Sequence, residues 1–104
     1  PRTPAERQGD RVCTRNGGDV TEAYRRGAEE ALRLAKLYGA KYAVLKERSP
    51  SCGSGTIYDG TFSGAKIPGD GVTAQLLKAA GVEVFGESRL EALLTRIEAD
   101  AAQD

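Results

Sequence analysis

The sequence predicts an α/β domain in which a small, mostly parallel sheet carries helices on both faces. Apolar side chains recur every three or four residues around residues 20–38, 72–80 and 90–101. Short apolar runs at residues 42–46 and 82–85 lie between these segments. Because helices and strands alternate, we expect parallel strands joined by right-handed crossovers in a three-layer arrangement. A chain of 104 residues has room for one such core, so residues 1–104 are interpreted as a single domain.

The N-terminal part is predicted to be an extended polar lead-in over residues 1–10 followed by a small β-ribbon. Residues 11–14 form its first strand, and Asn16-Gly17 predicts a type I′ turn into residues 18–20. Cys13 lies in this ribbon and is interpreted as an ordinary strand residue.

The first helix has the clearest signals of the three. It is predicted to begin at Asp19 or Thr21, since Asp19 and Glu22 have capping-box spacing. Gly39 is predicted to end it in a left-handed conformation. The apolar run that follows, residues 42–46, does not alternate with polar residues, which predicts a strand buried on both faces.

The second half of the chain is predicted to contain a β-hairpin insertion, a helix, a strand and a last helix. The hairpin is centred on Asp59-Gly60 within residues 56–63, because apolar residues alternate on both sides of that turn signal. The second helix starts at Asp70 or Thr73 and ends at Gly81, and a strand follows over residues 82–85. Spacing of a second capping box, Ser88 with Glu91, predicts the start of the last helix, whose residues 99–104 should fray. Two sheet strands are few, so we expect a missing N-terminal strand or another chain to complete the sheet.

The loop after the first sheet strand is the candidate site. Residues 47–71 have no helical period over 25 positions, a length that compact domains rarely keep without a function. At the start of this loop Cys52 follows the strand's exit among small residues, where α/β proteins usually bind ligands. Lys46 and Arg48 add positive charge, which would favour the thiolate form of Cys52. The alternative is a tight strand-to-loop connection in which Cys52 is a small buried residue.

Composition excludes several classes of function. The sequence has no His, which removes Cys–His and Ser–His–Asp catalysis and every His-ligated metal site. Fifteen basic and fifteen acidic side chains cancel, so nothing indicates nucleic acid or an anionic membrane as a partner. The chain shows no apolar run near the ~20 residues that span a bilayer and no signal peptide, which predicts a cytoplasmic protein. A homodimer stays open as its oligomeric state.

Three stretches of the sequence resemble the family known as domain of unknown function 523, whose characterised members are thiouracil desulfidases. They are residues 46–53 (KERSPSCG), 57–60 (IYDG) and 67–73 (IPGDGVT), and the likeness extends from residue 1 to about residue 90. The resemblance implies a [4Fe–4S] cluster held by three cysteines, with one iron free to bind the sulfur of a thiolated base or nucleoside. Uracil and sulfide would be the products of thiouracil.

The resemblance also assigns roles to individual residues. Cys52 matches a cluster ligand, and Ser49 matches a serine placed to assist catalysis near the substrate. We add Ser51, Gly53 and Ser54 as hydrogen-bond donors to the substrate or to cluster sulfide. Residues 1–6 resemble the segment that follows the family's other cluster cysteines, and the chain has no initiator Met. We therefore expect an N-terminal part to be missing, so that this C-terminal portion holds no cluster and is inactive by itself.

Two other functions stay open at this stage. The Gly/Ser-rich loop could make the chain a metal-free module that binds a nucleobase or phosphate through backbone N–H groups. Cys52 could also transfer persulfide sulfur, although no resolving cysteine lies nearby. Asp59 and Asp70 could form a carboxylate pair, but each precedes a glycine, and turn or cap roles explain them better.

Overall fold

The computed structural model describes residues 4–47 and 49–102. Six strands and three helices follow one another along the chain, with one 3-10 turn. The elements are β1 (Ala5–Gln8), β2 (Arg11–Thr14), α1 (Thr21–Tyr38), β3 (Tyr42–Leu45), β4 (Thr56–Tyr58), β5 (Lys66–Pro68), α2 (Val72–Ala79), β6 (Glu83–Gly86), the 3-10 turn (Glu87–Arg89) and α3 (Leu90–Ala102).

The parallel pair β3–β6 is the centre of the fold and confirms the predicted α/β class. Ala43 lies opposite Val84 in its register. Both side chains belong to the cluster that packs under α1 and α2. Side chains alternate between the faces of a strand, so Glu83 lies on the other face, where it pairs with Arg96 of α3 at 2.8 Å. Helices therefore cover both faces of this pair.

The hydrophobic core lies between this pair and the first two helices. It comprises the buried residues Ala74, Leu77, Val82 and Val84, with Leu32, Ala35, Ala43 and Leu45 packed against them. Small residues at 35, 43 and 74 let the two helices approach the strands closely. In the described part of the chain, no helix is long and apolar enough to cross a membrane.

The second face of β3 is less buried than the sequence predicted. Val44 is 43% exposed, so the expectation of burial on both faces was wrong. The apolar stripe predicted for α3 is also mostly uncovered, since Leu93 is buried but Leu94 is 51% and Ile97 41% exposed. The physical reason is that α3 is the one helix on this face, and within the described residues β3 pairs with β6 alone.

The N-terminal ribbon contains the predicted pairing of residues 11–14 with residues 18–20, since Thr14 N–H donates to Gly18 O and Val20 N–H to Val12 O, and it also has one further strand. β1, expected to be a lead-in without partner, pairs antiparallel with β2. The turn after β2 is not type I′, which needs positive φ at both central residues. Gly17 has φ 88°, but Asn16 does not have a positive φ, because Phe62 is the one non-glycine residue with positive φ in the described ranges. Gly17 N–H donates to Thr14 O, and Cys13 then forms an isolated bridge with Asp19.

The helix ends follow the predictions in part. Gly39 ends α1 with φ 64°, as expected. Asp19 does not form the predicted capping box, because Val20 is the N-cap. The Asp19 carboxylate instead accepts the Thr21 N–H at 2.9 Å, and hydrogen bonding to Thr21 lowers the pKa of Asp19. The second capping box is also replaced, since Ser88 lies in the 3-10 turn and bonds to Glu47.

The hairpin insertion exists and its first strand, β4, lies where predicted, but its second strand and its turn differ from the prediction. β4 pairs with β5, and the segment 59–65 forms a wide loop between them. Asp59 accepts hydrogen bonds from the backbone and side chain of Thr61, which lower the pKa of Asp59 and bend the chain away from a two-residue turn. Glu6 of β1 then accepts the N–H groups of Gly60 and Phe62, which holds the loop against the ribbon.

Candidate functional site

The segment 49–55 leaves β3 and folds over the N-terminus of α2. The first N–H groups of an α-helix have no partner within the helix. Here Val72 N–H donates to Pro50 O at 2.7 Å, while Thr73 and Ala74 N–H groups both donate to Ser51 O. Backbone carbonyls of the candidate site thus replace a side-chain cap, which α2 lacks. This arrangement fixes the site to a rigid element.

Two glycines allow this close approach. Gly71 N–H donates to Gly53 O at 2.8 Å. A Cβ atom at Gly71 would lie 2.4 Å from the carbonyl carbon of Ser51, and one at Gly53 would lie 2.7 Å from Ile57. Neither position has space for a side chain. The abundance of small residues that marked this stretch in the sequence is therefore explained by backbone packing.

Cys52 lies at the centre of the turn with its thiol half-buried. Its N–H donates to the Ser49 hydroxyl at 2.7 Å, and Gly53 N–H donates to Ser49 O at 3.0 Å. Its Sγ lies 3.7 Å from Ser51 Oγ, which in turn lies 2.7 Å from Thr73 Oγ1. Thr73 is 5% exposed. The sulfur is thus joined through two hydroxyl groups to the buried first turn of α2.

Asp70 anchors the far end of the segment. Its Oδ1 accepts Gly55 N–H and Lys78 Nζ, each at 2.8 Å. Burial by itself would raise the pKa of Asp70, but bonding to Lys78 and Gly55 outweighs it and holds that pKa below its ordinary value. Arg7 of β1 also donates to Asp70 O. Asp70 therefore has a structural role, as its turn context predicted.

A polar cavity of about 450 Å³ lies at the carboxyl ends of β3 and β6, where α/β sheets usually bind ligands. It is lined by Glu47, Ser54, Thr56, Lys66 and Ser88. Both carboxylate oxygens of Glu47 accept hydrogen bonds from Ser88, one from its N–H at 2.9 Å and one from its hydroxyl at 2.6 Å. This contact joins the exits of the two parallel strands.

The structure brings together four of the five predicted site residues in one turn. Ser49, Ser51, Cys52 and Gly53 are linked by the hydrogen bonds given above, whereas Ser54 lines the polar cavity. The recorded bond of Ser49 orients the Cys52 backbone, and the N–H of Gly53 is already used inside the turn. Contact of any of these residues with a substrate stays a prediction.

Sequence reasoning missed several residues that hold the site. Thr73 was considered only as a helix start, and the contact between Glu47 and Ser88 was not foreseen. Their residue types gave no signal, because each acts through a partner more than 20 positions away. Lys46 is exposed, and Arg48 lies outside the described residues.

A three-cysteine cluster does not fit within this chain alone. The sequence has two cysteines, and Cys13 lies in β2, away from the turn of Cys52. Among the described residues no group of three or more His, Cys, Asp or Glu side chains could hold a metal ion. Cys52 fits as one soft ligand, since it is a free, half-buried cysteine whose thiol lies beside a hydroxyl group.

Comparison with known proteins gives three matches. The sequence profile described as 2-thiouracil desulfurase matches residues 1–89. An uncharacterized protein, YbbK of Bacillus subtilis (strain 168), is 50% identical over an alignment of 104 residues. The alignment covers 90% of this chain and 69% of that protein. A solved structure titled [4Fe-4S]-dependent thiouracil desulfidase TudS is similar with a TM-score of 0.92 and 49% identity. That match covers 95% of this chain and 66% of the solved chain, so this chain spans about two thirds of the length of both relatives.

Proposed function

The chain belongs to the 2-thiouracil desulfurase family, and we propose that it forms the part of a thiouracil desulfidase that presents Cys52 as one ligand of a [4Fe–4S] cluster. The substrate class is a thiolated pyrimidine, and the reaction replaces the thiocarbonyl sulfur with oxygen and releases sulfide. The remaining cluster thiolates come from polypeptide beyond these 104 residues, because the chain has only Cys13 besides Cys52. By itself the chain is therefore expected to hold no cluster and to be inactive.

The geometry of the turn around Cys52 is the observation that carries this proposal. Catalytic metal centres need ligands held by rigid elements and by hydrogen bonds around them. The carbonyl groups of Pro50 and Ser51 accept hydrogen bonds from the first N–H groups of α2. The N–H groups of Cys52 and Gly53 donate hydrogen bonds to Ser49. Cys52 is half-buried, with its sulfur beside the Ser51 hydroxyl. A thiol that only filled space would not need this polar support.

The residues of this chain have binding and orienting roles in the proposed reaction. When bound, the cluster supplies a soft Lewis-acidic iron that prefers sulfur to oxygen. Ser49 fixes the direction of the Cys52 backbone, and Ser51 offers a hydroxyl beside the sulfur. Ser54, at the edge of the polar cavity, is placed to bind a polar group of the pyrimidine, with Lys66 and Thr56 lining the same space.

The alternative of a metal-free anion-binding module has less support. Such a site needs free backbone N–H groups. The N–H groups of Cys52, Gly53 and Gly55 already donate to Ser49 or Asp70. The first N–H groups of α2 likewise donate to the loop's own carbonyls. An anion would have to displace these bonds, so we do not carry this function further.

A chimera tests the proposed function. We suggest replacing the matched two thirds of the solved desulfidase with this chain, so that the rest of that protein supplies the other thiolates. After anaerobic reconstitution, we expect cluster absorbance, about four iron atoms per chain from the cluster formula, and release of sulfide from 2-thiouracil.

Cys52→Ser and Cys13→Ser are the matched variants, since both remove a half-buried thiol. In the chimera, Cys52→Ser should abolish cluster binding and sulfide release, and Cys13→Ser should leave both unchanged. Full iron content in Cys52→Ser would contradict the proposal.

A further inference from the structure

We propose that Thr73 is a positioning residue that holds the Ser51 hydroxyl beside the Cys52 sulfur, so that Ser51 donates a hydrogen bond to this sulfur once it is a metal-bound thiolate. This inference rests on the proposed role of Cys52 as a metal ligand. The hydrogen bonds join Thr73 to Ser51 and Ser51 to the Cys52 sulfur, so Thr73 acts through Ser51.

The first argument is how Ser51 is held. Its carbonyl oxygen accepts two N–H groups of α2, those of Thr73 at 2.8 Å and Ala74 at 3.1 Å. Its hydroxyl oxygen lies 2.7 Å from Thr73 Oγ1. One residue of the helix therefore contacts both the backbone and the side chain of Ser51, which fixes the main-chain position and the side-chain rotamer together.

The second argument is the number of protons available. In the metal-free chain the Cys52 thiol donates to Ser51 Oγ at 3.7 Å. A metal-bound cysteine sulfur has lost its proton and can only accept a hydrogen bond, so this bond must then run from Ser51 to the sulfur. The Ser51 hydroxyl has one proton, so donation to the sulfur requires that Ser51 accept, not donate, at its contact with Thr73. Thr73 can donate there, which gives the order Thr73 to Ser51 to Cys52. Hydrogen bonds to cluster sulfurs adjust the electronic properties of a cluster, so this order bears on the proposed chemistry.

The third argument is the burial of Thr73. Among the described residues, Thr73 is the polar residue that is buried, with 5% of its surface exposed. Its neighbour Ala74 is fully buried. A hydroxyl group in such surroundings is costly unless it is hydrogen-bonded. Its one recorded side-chain partner is Ser51. An apolar residue of similar shape would avoid that cost, so the hydroxyl is explained by the contact it makes.

The test compares Thr73→Val with Thr73→Ser in the 104-residue chain by NMR. Valine keeps the branched shape and removes the hydroxyl, whereas serine keeps the hydroxyl and removes a methyl group. We expect Ser51 to occupy one χ1 rotamer in the original chain and in Thr73→Ser, and to average over rotamers in Thr73→Val. The Cβ and Hβ chemical shifts of Cys52 should change in Thr73→Val and stay close to the original values in Thr73→Ser.

A purely structural role for Thr73 predicts the opposite order, because valine fills the space and serine leaves a gap. A single Ser51 rotamer in Thr73→Val, or an equal perturbation of Cys52 in both variants, would overturn the proposal. If Thr73→Val does not fold, Ser51→Ala removes the Ser51 hydroxyl and with it the contacts to Thr73 and to the Cys52 sulfur. Unchanged Cys52 chemical shifts in Ser51→Ala would overturn the proposal as well. None of these measurements uses iron, so their outcome is independent of whether the chimera binds a cluster.

Discussion

Gly71→Ala tests the claim that the candidate site is fixed to α2. A Cβ atom at this position would lie 2.4 Å from the carbonyl carbon of Ser51, 2.5 Å from its oxygen and 2.8 Å from Cys52 N. All three are backbone atoms, so no side chain can rotate away. The φ angle of Gly71 is −69°, which any residue can adopt, so the effect comes from lack of space alone.

The expected loss follows from the contacts that must move. Restoring an ordinary contact of about 3.5 Å requires the turn and the helix to separate by about 1 Å. The bonds from Gly71 N–H to Gly53 O and from Val72 N–H to Pro50 O, now 2.8 and 2.7 Å, would then become too long. Two lost hydrogen bonds at about 1 kcal/mol each, with ~1–2 kcal/mol of overpacking, give a loss of roughly 3–4 kcal/mol.

Urea unfolding followed by circular dichroism measures this loss, and Gly27→Ala is the matched control. Gly27 lies in α1 with nothing within 4 Å of its Cβ position, so alanine there should stabilise the protein by about 0.5–1 kcal/mol. A local readout is the labelling rate of Cys52 relative to Cys13 in the same molecule, which should rise in Gly71→Ala. A change in stability below about 1 kcal/mol together with an unchanged labelling ratio would refute the close packing inferred here.

Three further predictions concern the supports of the site and the ribbon. Asp70→Asn should lower the stability by about 1–2 kcal/mol at neutral pH, because the ion pair with Lys78 is lost at a partly buried position. The pKa of Asp70 is lowered in the folded state, so the contribution of its carboxylate to stability is complete above the ordinary pKa near 4. That contribution is lost as the pH falls through the lower pKa of the folded state. Unfolding measured from pH 7 downwards should therefore show the stabilities of Asp70→Asn and the original protein converge. Ser49→Ala should cost about 1 kcal/mol and speed hydrogen exchange of the Cys52 N–H, which NMR can follow. Val12→Ala, at a fully buried position of β2, should cost about 2 kcal/mol in urea unfolding, since two methyl groups leave a tightly packed site.

The Asp70 and Ser49 variants have their own controls, and Asp70→Asn also has an opposing result. Lys78→Gln removes the same ion pair as Asp70→Asn but keeps the charged acceptor for Gly55 N–H, so it should cost less. Ser49→Thr keeps the hydroxyl and should retain the slow exchange of the Cys52 N–H. If Asp70→Asn stayed separated from the original protein at low pH, the carboxylate would not be the source of the difference.

The partly exposed face of the sheet agrees with one expectation that stays a prediction. Two sheet strands are few, which predicts that a further strand, from this protein or another chain, completes the sheet. Val44 on β3 is 43% exposed, and Leu90 and Leu94 on α3 are about half-exposed. Such apolar surface beside an open strand edge is typical of a face that another element covers.

Several features of this protein could be predicted from the sequence because they depend on neighbouring residues. Helical periodicity placed α1, α2 and α3, and Gly39 ended α1 as expected. The apolar runs placed β3 and β6, and the alternation of elements gave their parallel pairing. The position of Cys52 just after a strand, among small residues, also follows from the order of residues alone.

Which segments pair, and what supports the site, depended on tertiary structure. β1 and β5 have little strand signal of their own, and each becomes a strand by pairing with a neighbour. Thr73 reaches Ser51 across 22 positions, and Glu47 reaches Ser88 across 41. A local pattern states which face of an element is apolar, but the partner of a polar side chain is fixed only when distant elements are brought together. For this reason the sequence indicates where Cys52 lies, and the folded chain shows what holds it there.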